Sequence, residues 1–107
     1  MILLLLAVLA PIKPAVVVSA LTTRQLAQDC RGKDNDPAAT FCTGYIMGVF
    51  DTASSSRQIC PSPTRVSTID AVAAARKYIR KHPKKWGSAP SFVVRDALRA
   101  AFPCDRP

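Results

Sequence analysis

Glutamate is absent from the 107 residues, so seven aspartates are the whole acidic complement against 15 lysines and arginines, a net charge of +8. No two carboxylates stand at a spacing that would serve as a general acid–base pair. Histidine occurs once, and His82 precedes a proline that stops a helix, a position for a solvated rather than a catalytic imidazole. No Gly-rich loop is present to cradle phosphate. The four cysteines form no Cys-x-x-Cys pair, so a zinc site would need scattered ligands. No segment shows the two-residue alternation of a half-buried strand. Together these absences argue against an enzyme, a metalloprotein, a cofactor-binding chain and any β architecture. The expected class is all-α.

What is present begins with an apolar N-terminus. MILLLLAVLA is followed by PIKPAVVVSA, and Val18-Ser19-Ala20 closes the run with the small residues that a signal peptidase needs. Residues 1–20 therefore read as a secretory signal peptide cleaved after Ala20, although a basic opening segment is missing and Lys13 sits between two prolines. The run before Pro11 is far shorter than the roughly 20 residues that span a bilayer, which argues against a retained anchor or stable membrane insertion. Residues 21–107 form the expected mature domain, in a periplasmic, oxidising compartment.

Such a small chain buries too little surface to be robust without covalent staples. Cys30, Cys42, Cys60 and Cys104 supply them. Four cysteines allow three pairings. The favoured one is Cys30–Cys42, which joins the end of a first helix to the start of a second, leaving Cys60–Cys104 to tie the middle of the chain to its end. The sequence does not decide among the three.

Prolines, glycines and serines divide the mature chain into four helices. The first is short, with Thr22 or Thr23 as N-cap, Leu26 as its apolar anchor, and an end near Cys30 and Gly32. The second starts at an Asp36 cap with Pro37 as first residue and runs to about Ser54. The third starts at Ser67, with Asp70 three residues on as a capping-box partner, carries Ile69, Val72, Ala75 and Ile79, and stops at Pro83. The fourth opens at Ser88 or Pro90, carries Val94, Ala97, Leu98 and Ala101, and ends at Pro103.

Two features need more than a helix count. Within FCTGYIMGVFD, Gly44 and Gly48 lie together on one flank of the second helix, beside Asp51, and each costs a helix about 1 kcal/mol relative to alanine. A glycine flank lets another helix approach closely, either inside one core or from a second subunit or partner. The other feature is RKYIRKHPKKW, residues 76–86, which holds Arg76, Lys77, Arg80, Lys81, Lys84 and Lys85 and no acid. Cations at a helix C-terminus complement the macrodipole. They also make a surface for an anionic partner. Export and the lack of a reading motif argue against nucleic acid. Trp86, flanked by Lys84 and Lys85, suits either a core cap or an interface anchor. Phe92 falls on the Arg95/Arg99 side of its helix rather than with the core. Arg80, Lys81, Lys84, Lys85, Trp86 and Phe92 are the candidate partner-binding residues.

The run CTGYIMGVFD (Cys42 to Asp51), Cys60-Pro61, Val66-Ser67 at a helix start, Tyr78-Ile79 followed by His82-Pro83, and ALRAAFPC (Ala97 to Cys104) together resemble the Rap/Tai family, small exported immunity proteins of bacterial type VI secretion systems. The resemblance implies a periplasmic helical domain that often dimerises and that binds a toxic effector, in several cases a peptidoglycan amidase, to block its active site. It brings no catalytic residues, and it makes Gly44, Tyr45, Gly48 and Asp51 fold or dimer determinants. Toxin contacts do not transfer by motif. The other reading is a disulfide-stapled envelope module with a structural or stress role and no toxin partner.

Overall fold

The computed structural model describes residues 15–104. The signal-peptide reading falls on residues 1–20, of which 1–14 lie outside the described residues, while 15–20 are exposed and not helical. Four α-helices follow: α1 (Thr23–Asp29), α2 (Phe41–Ser55), α3 (Thr68–Lys81) and α4 (Pro90–Ala101), with a 3-10 turn at Pro83–Lys85. No strand occurs among the described residues.

Local chemistry explains most of the boundaries. Thr22 caps α1 in a full capping box: its hydroxyl accepts from the Gln25 amide at 3.1 Å, and the Gln25 side chain accepts from the Thr22 amide at 2.9 Å. Ser67 and Asp70 form the same reciprocal pair at α3, at 3.2 and 3.0 Å. Those hydrogen bonds hold the Asp70 carboxyl below its ordinary 3.8. Ser67→Ala is expected to cost about 1 kcal/mol in a urea titration, the usual value of an N-cap.

The start of α2 differs from the sequence expectation. Asp36 spends its side chain on the Ala38 amide at 2.9 Å, a local turn that leaves Pro37 outside the helix. Thr40 is the cap instead, accepting from the Thr43 amide at 3.2 Å, and the helix begins at Phe41. At α4 Pro90 occupies the first turn, where its missing amide costs nothing.

The core sits where α3 packs against α4 and α2, with α1 across one side. Leu26, Ile46, Ile59, Val72, Ile79, Val93, Val94 and Leu98 are fully buried in it. Ile69 and Ala101, expected in the core, are exposed. Ile69 lies in the first turn of α3, ahead of the buried face that begins at Ala71, and Ala101 is the last residue of α4. Cys30 is bonded to Cys42 and Cys60 to Cys104, with Cα–Cα separations of 5.0 and 4.9 Å. The first bond links the end of α1 to the first turn of α2. The second fastens the irregular 56–66 connection to the chain's end beyond α4, beside a backbone hydrogen bond from Cys60 to Phe102 at 2.9 Å.

Candidate partner-binding surface

The basic end of α3 carries fewer free charges than its sequence implies. Arg76 is buried at 3 % exposure, its Nε donating to Cys42 Sγ at 3.3 Å and a terminal nitrogen donating to the Lys33 carbonyl at 2.5 Å. It pins the 31–36 turn and the first disulfide to α3. Arg80 makes a two-point ion pair with Asp34, whose carboxyl is held below its ordinary 3.8 first by the Arg80 hydrogen bond. Because the folded value is depressed, this pair adds stability above the unfolded value, and the contribution fades as pH falls through the folded one. Asp34→Asn should therefore lower the melting temperature slightly at pH 7, with the difference from wild type closing below pH 3.8. A constant difference across that range would remove Asp34 from the acid response.

Lys85 donates to the Tyr78 hydroxyl at 2.6 Å, which holds its ammonium above the ordinary 10.5, and approaches Asp96 at 4.0 Å. His82 is half-buried, stacked on Tyr78 with ring centroids 3.9 Å apart, and one ring nitrogen lies 2.7 Å from the Tyr78 carbonyl. The expectation of a solvated imidazole gives way to a packed one. Trp86 is half-buried, its indole donating to the Ile79 carbonyl at 2.8 Å. Lys81 and Lys84 are exposed, with no ion pair or hydrogen bond among the described residues. Of the sequence candidates, then, Arg80, Lys85 and Trp86 are committed to partners in the chain itself, and Lys81 and Lys84 point to solvent.

Phe92 belongs to a different place. It is 37 % exposed, with the Arg95 guanidinium 5.1 Å from its ring, and it lines an open groove between α2 and α4. Gly44, Tyr45, Gly48 and Val49 form the α2 wall, and Ser91, Phe92 and Arg95 the α4 wall, around about 570 Å³. Partial burial raises the Tyr45 hydroxyl above 10.0, against a lowering hydrogen bond with Ser91. Both glycines are exposed, and a Cβ built on either meets nothing within 4 Å. Among the described residues no helix packs on the glycine flank, so of the two alternatives the close crossing inside one core is not seen there. Asp51 is exposed on the same helix. Gly44→Ala or Gly48→Ala should each stabilise the domain by about 1 kcal/mol, as read by urea unfolding.

Among the described residues no group of histidines, cysteines or carboxylates could hold a metal ion, and no helix is long and apolar enough to cross a membrane. A family model described as Rap1a immunity proteins matches residues 22–104. The chain belongs to that family. No curated protein and no solved structure matches it. Membership suggests an immunity protein for a secreted effector, and such families are generally non-enzymatic. The matched region opens at Thr22, the α1 cap, and closes at Cys104, the last disulfide partner, so the whole stapled bundle lies within it.

Proposed function

We propose that this chain is a periplasmic immunity protein that neutralises a type VI secretion effector by covering the effector's working surface, a peptidoglycan amidase being the effector class that the family resemblance favours. The observation that carries the proposal is the Rap1a match across the whole disulfide-bonded bundle. Two disulfides suit an oxidising compartment. The first described helix is capped at Thr22, shortly after Ala20, so removal of residues 1–20 would leave every described helix intact. Inhibition needs only a rigid shape and a complementary charge, and the +8 chain favours an acidic partner surface.

The test is rescue. A sensitive bacterium exporting a peptidoglycan amidase effector, if one is encoded beside this gene, should lyse, and co-expression of the full chain should restore growth. A version lacking residues 1–20 should fail to protect. Continued lysis with the full chain present would remove the immunity reading and leave the envelope module without a toxin partner.

A further inference from the structure

Resting on that reading, we infer that the α2/α4 groove, rather than the basic end of α3, receives the effector, and that it takes an apolar segment carrying a carboxylate. The apolar half of the match is the groove's wall. Phe92, Tyr45 and Val49 face it beside two glycines that leave the α2 backbone bare. Glycine at positions 44 and 48 weakens α2, and no contact among the described residues recovers the loss. Among the described residues nothing fills the room that the missing side chains leave, and it stands open to a segment of another molecule.

The charged half is Arg95. Its Nε is shielded from solvent and has no hydrogen-bond partner among the described residues. A terminal nitrogen lies 3.6 Å from Asp96, a carboxylate that also faces Lys85. The Arg95 side chain as a whole is 31 % exposed, so its guanidinium can be reached at the groove's edge, and the residues lining the groove include no acid. Two copies of the chain pairing groove to groove would set guanidinium against guanidinium on a chain already at +8, whereas an Asp or Glu from an acidic effector segment pairs with the exposed side of the guanidinium.

The experiment fills the groove without disturbing the bundle. Gly44→Leu and Gly48→Leu place side chains in open space and improve helix propensity, so their melting temperatures should equal or exceed that of wild type. Their affinity for the effector of the rescue assay, measured by calorimetry, should fall by about 50-fold or more, the effect of blocking an interface centre. Arg95→Gln should lose about tenfold with folding unchanged, the scale of one charge-assisted hydrogen bond. Lys81→Ala with Lys84→Ala serves as the comparison, expected to change affinity little.

Wild-type affinity in both leucine variants would overturn the groove while leaving the immunity reading in place. Light scattering that shows a dimer broken by Gly48→Leu, with effector affinity unaltered, would likewise overturn it and assign the groove to a second copy. If wild type protects against no effector, both the inference and the reading on which it rests fall.

Discussion

With Cys60 and Cys104 both changed to serine, the domain is expected to lose about 4 kcal/mol of stability, the value that chain entropy gives for a cross-link spanning this distance. The bond joins residues 44 apart and so restrains roughly half of the mature domain. Its position adds to the effect. Between α2 and α3 the chain has no regular structure, yet Ile59 from that stretch is buried in the core, next to the cysteine that ties it down. Phe50 and Phe102 meet edge to face at 6.0 Å in the same region. Freeing Cys60 therefore loosens the seat of Ile59 and the end of α4 together. The Cys30–Cys42 bond closes a shorter loop, 12 residues apart, and is worth about 3 kcal/mol on the same basis. A domain of this size typically has about 5–10 kcal/mol in total. Losing the first bond should shift the urea midpoint sharply, and losing both should leave the chain unfolded at 37 °C. Equal midpoints for wild type and the Cys60/Cys104 variant would show that burial alone holds the 56–66 connection.

These bonds also mark how far the sequence could be read. Helix class, a threonine cap at 22 or 23, the Ser67 cap and the Pro83 stop are legible because each rests on neighbours a few residues apart, whereas the cysteine pairing, across 12 and 44 residues, was favoured but not decided. The start of α2 is not legible, because Asp36 and Thr40 both offer a capping side chain, and the choice between them depends on a turn at Ala38 that pattern alone does not rank. Arg76 is the larger miss. On a helical wheel it is one more cation beside the core stripe; in the fold it is buried against partners 34 and 43 residues away, Cys42 and Lys33. Nothing local announces that a guanidinium will be closed over by a turn and a disulfide. The groove was half legible. The glycine flank and the off-core position of Phe92 were both visible, but only the fold shows that α2 and α4 bring them to one place and leave it open.

Trp86→Ala should destabilise the domain by about 3 kcal/mol, near the lower end for an aromatic removed from a packed site because the ring is only half-buried. The indole bonds the Ile79 carbonyl near the end of α3. On its other side the Arg24 guanidinium lies 5.8 Å from the ring, and the Trp86 carbonyl accepts from the Arg24 amide at 3.1 Å. One loop further, the Ser88 carbonyl accepts from the Thr23 hydroxyl at 2.6 Å. The 86–88 segment thus supplies acceptors to donors in the first turn of α1 that have no partner within the helix, a need every helix start has. Removing the indole frees that segment, and a seven-residue helix has little intrinsic stability with which to survive alone. Trp86→Phe, which keeps most of the ring packing but loses the Ile79 hydrogen bond, should cost about 1–2 kcal/mol. This ordering separates two roles for the same residue. An anchor held for a partner would leave the free domain's unfolding curve unchanged on substitution and show its effect only in binding. A strut between α1 and α3 would shift the unfolding curve first, and any loss of effector affinity would follow the unfolded fraction. Comparing urea midpoints with calorimetric affinities for Trp86→Phe, which stays folded, decides between them. An unshifted midpoint with weakened binding would return Trp86 to the interface.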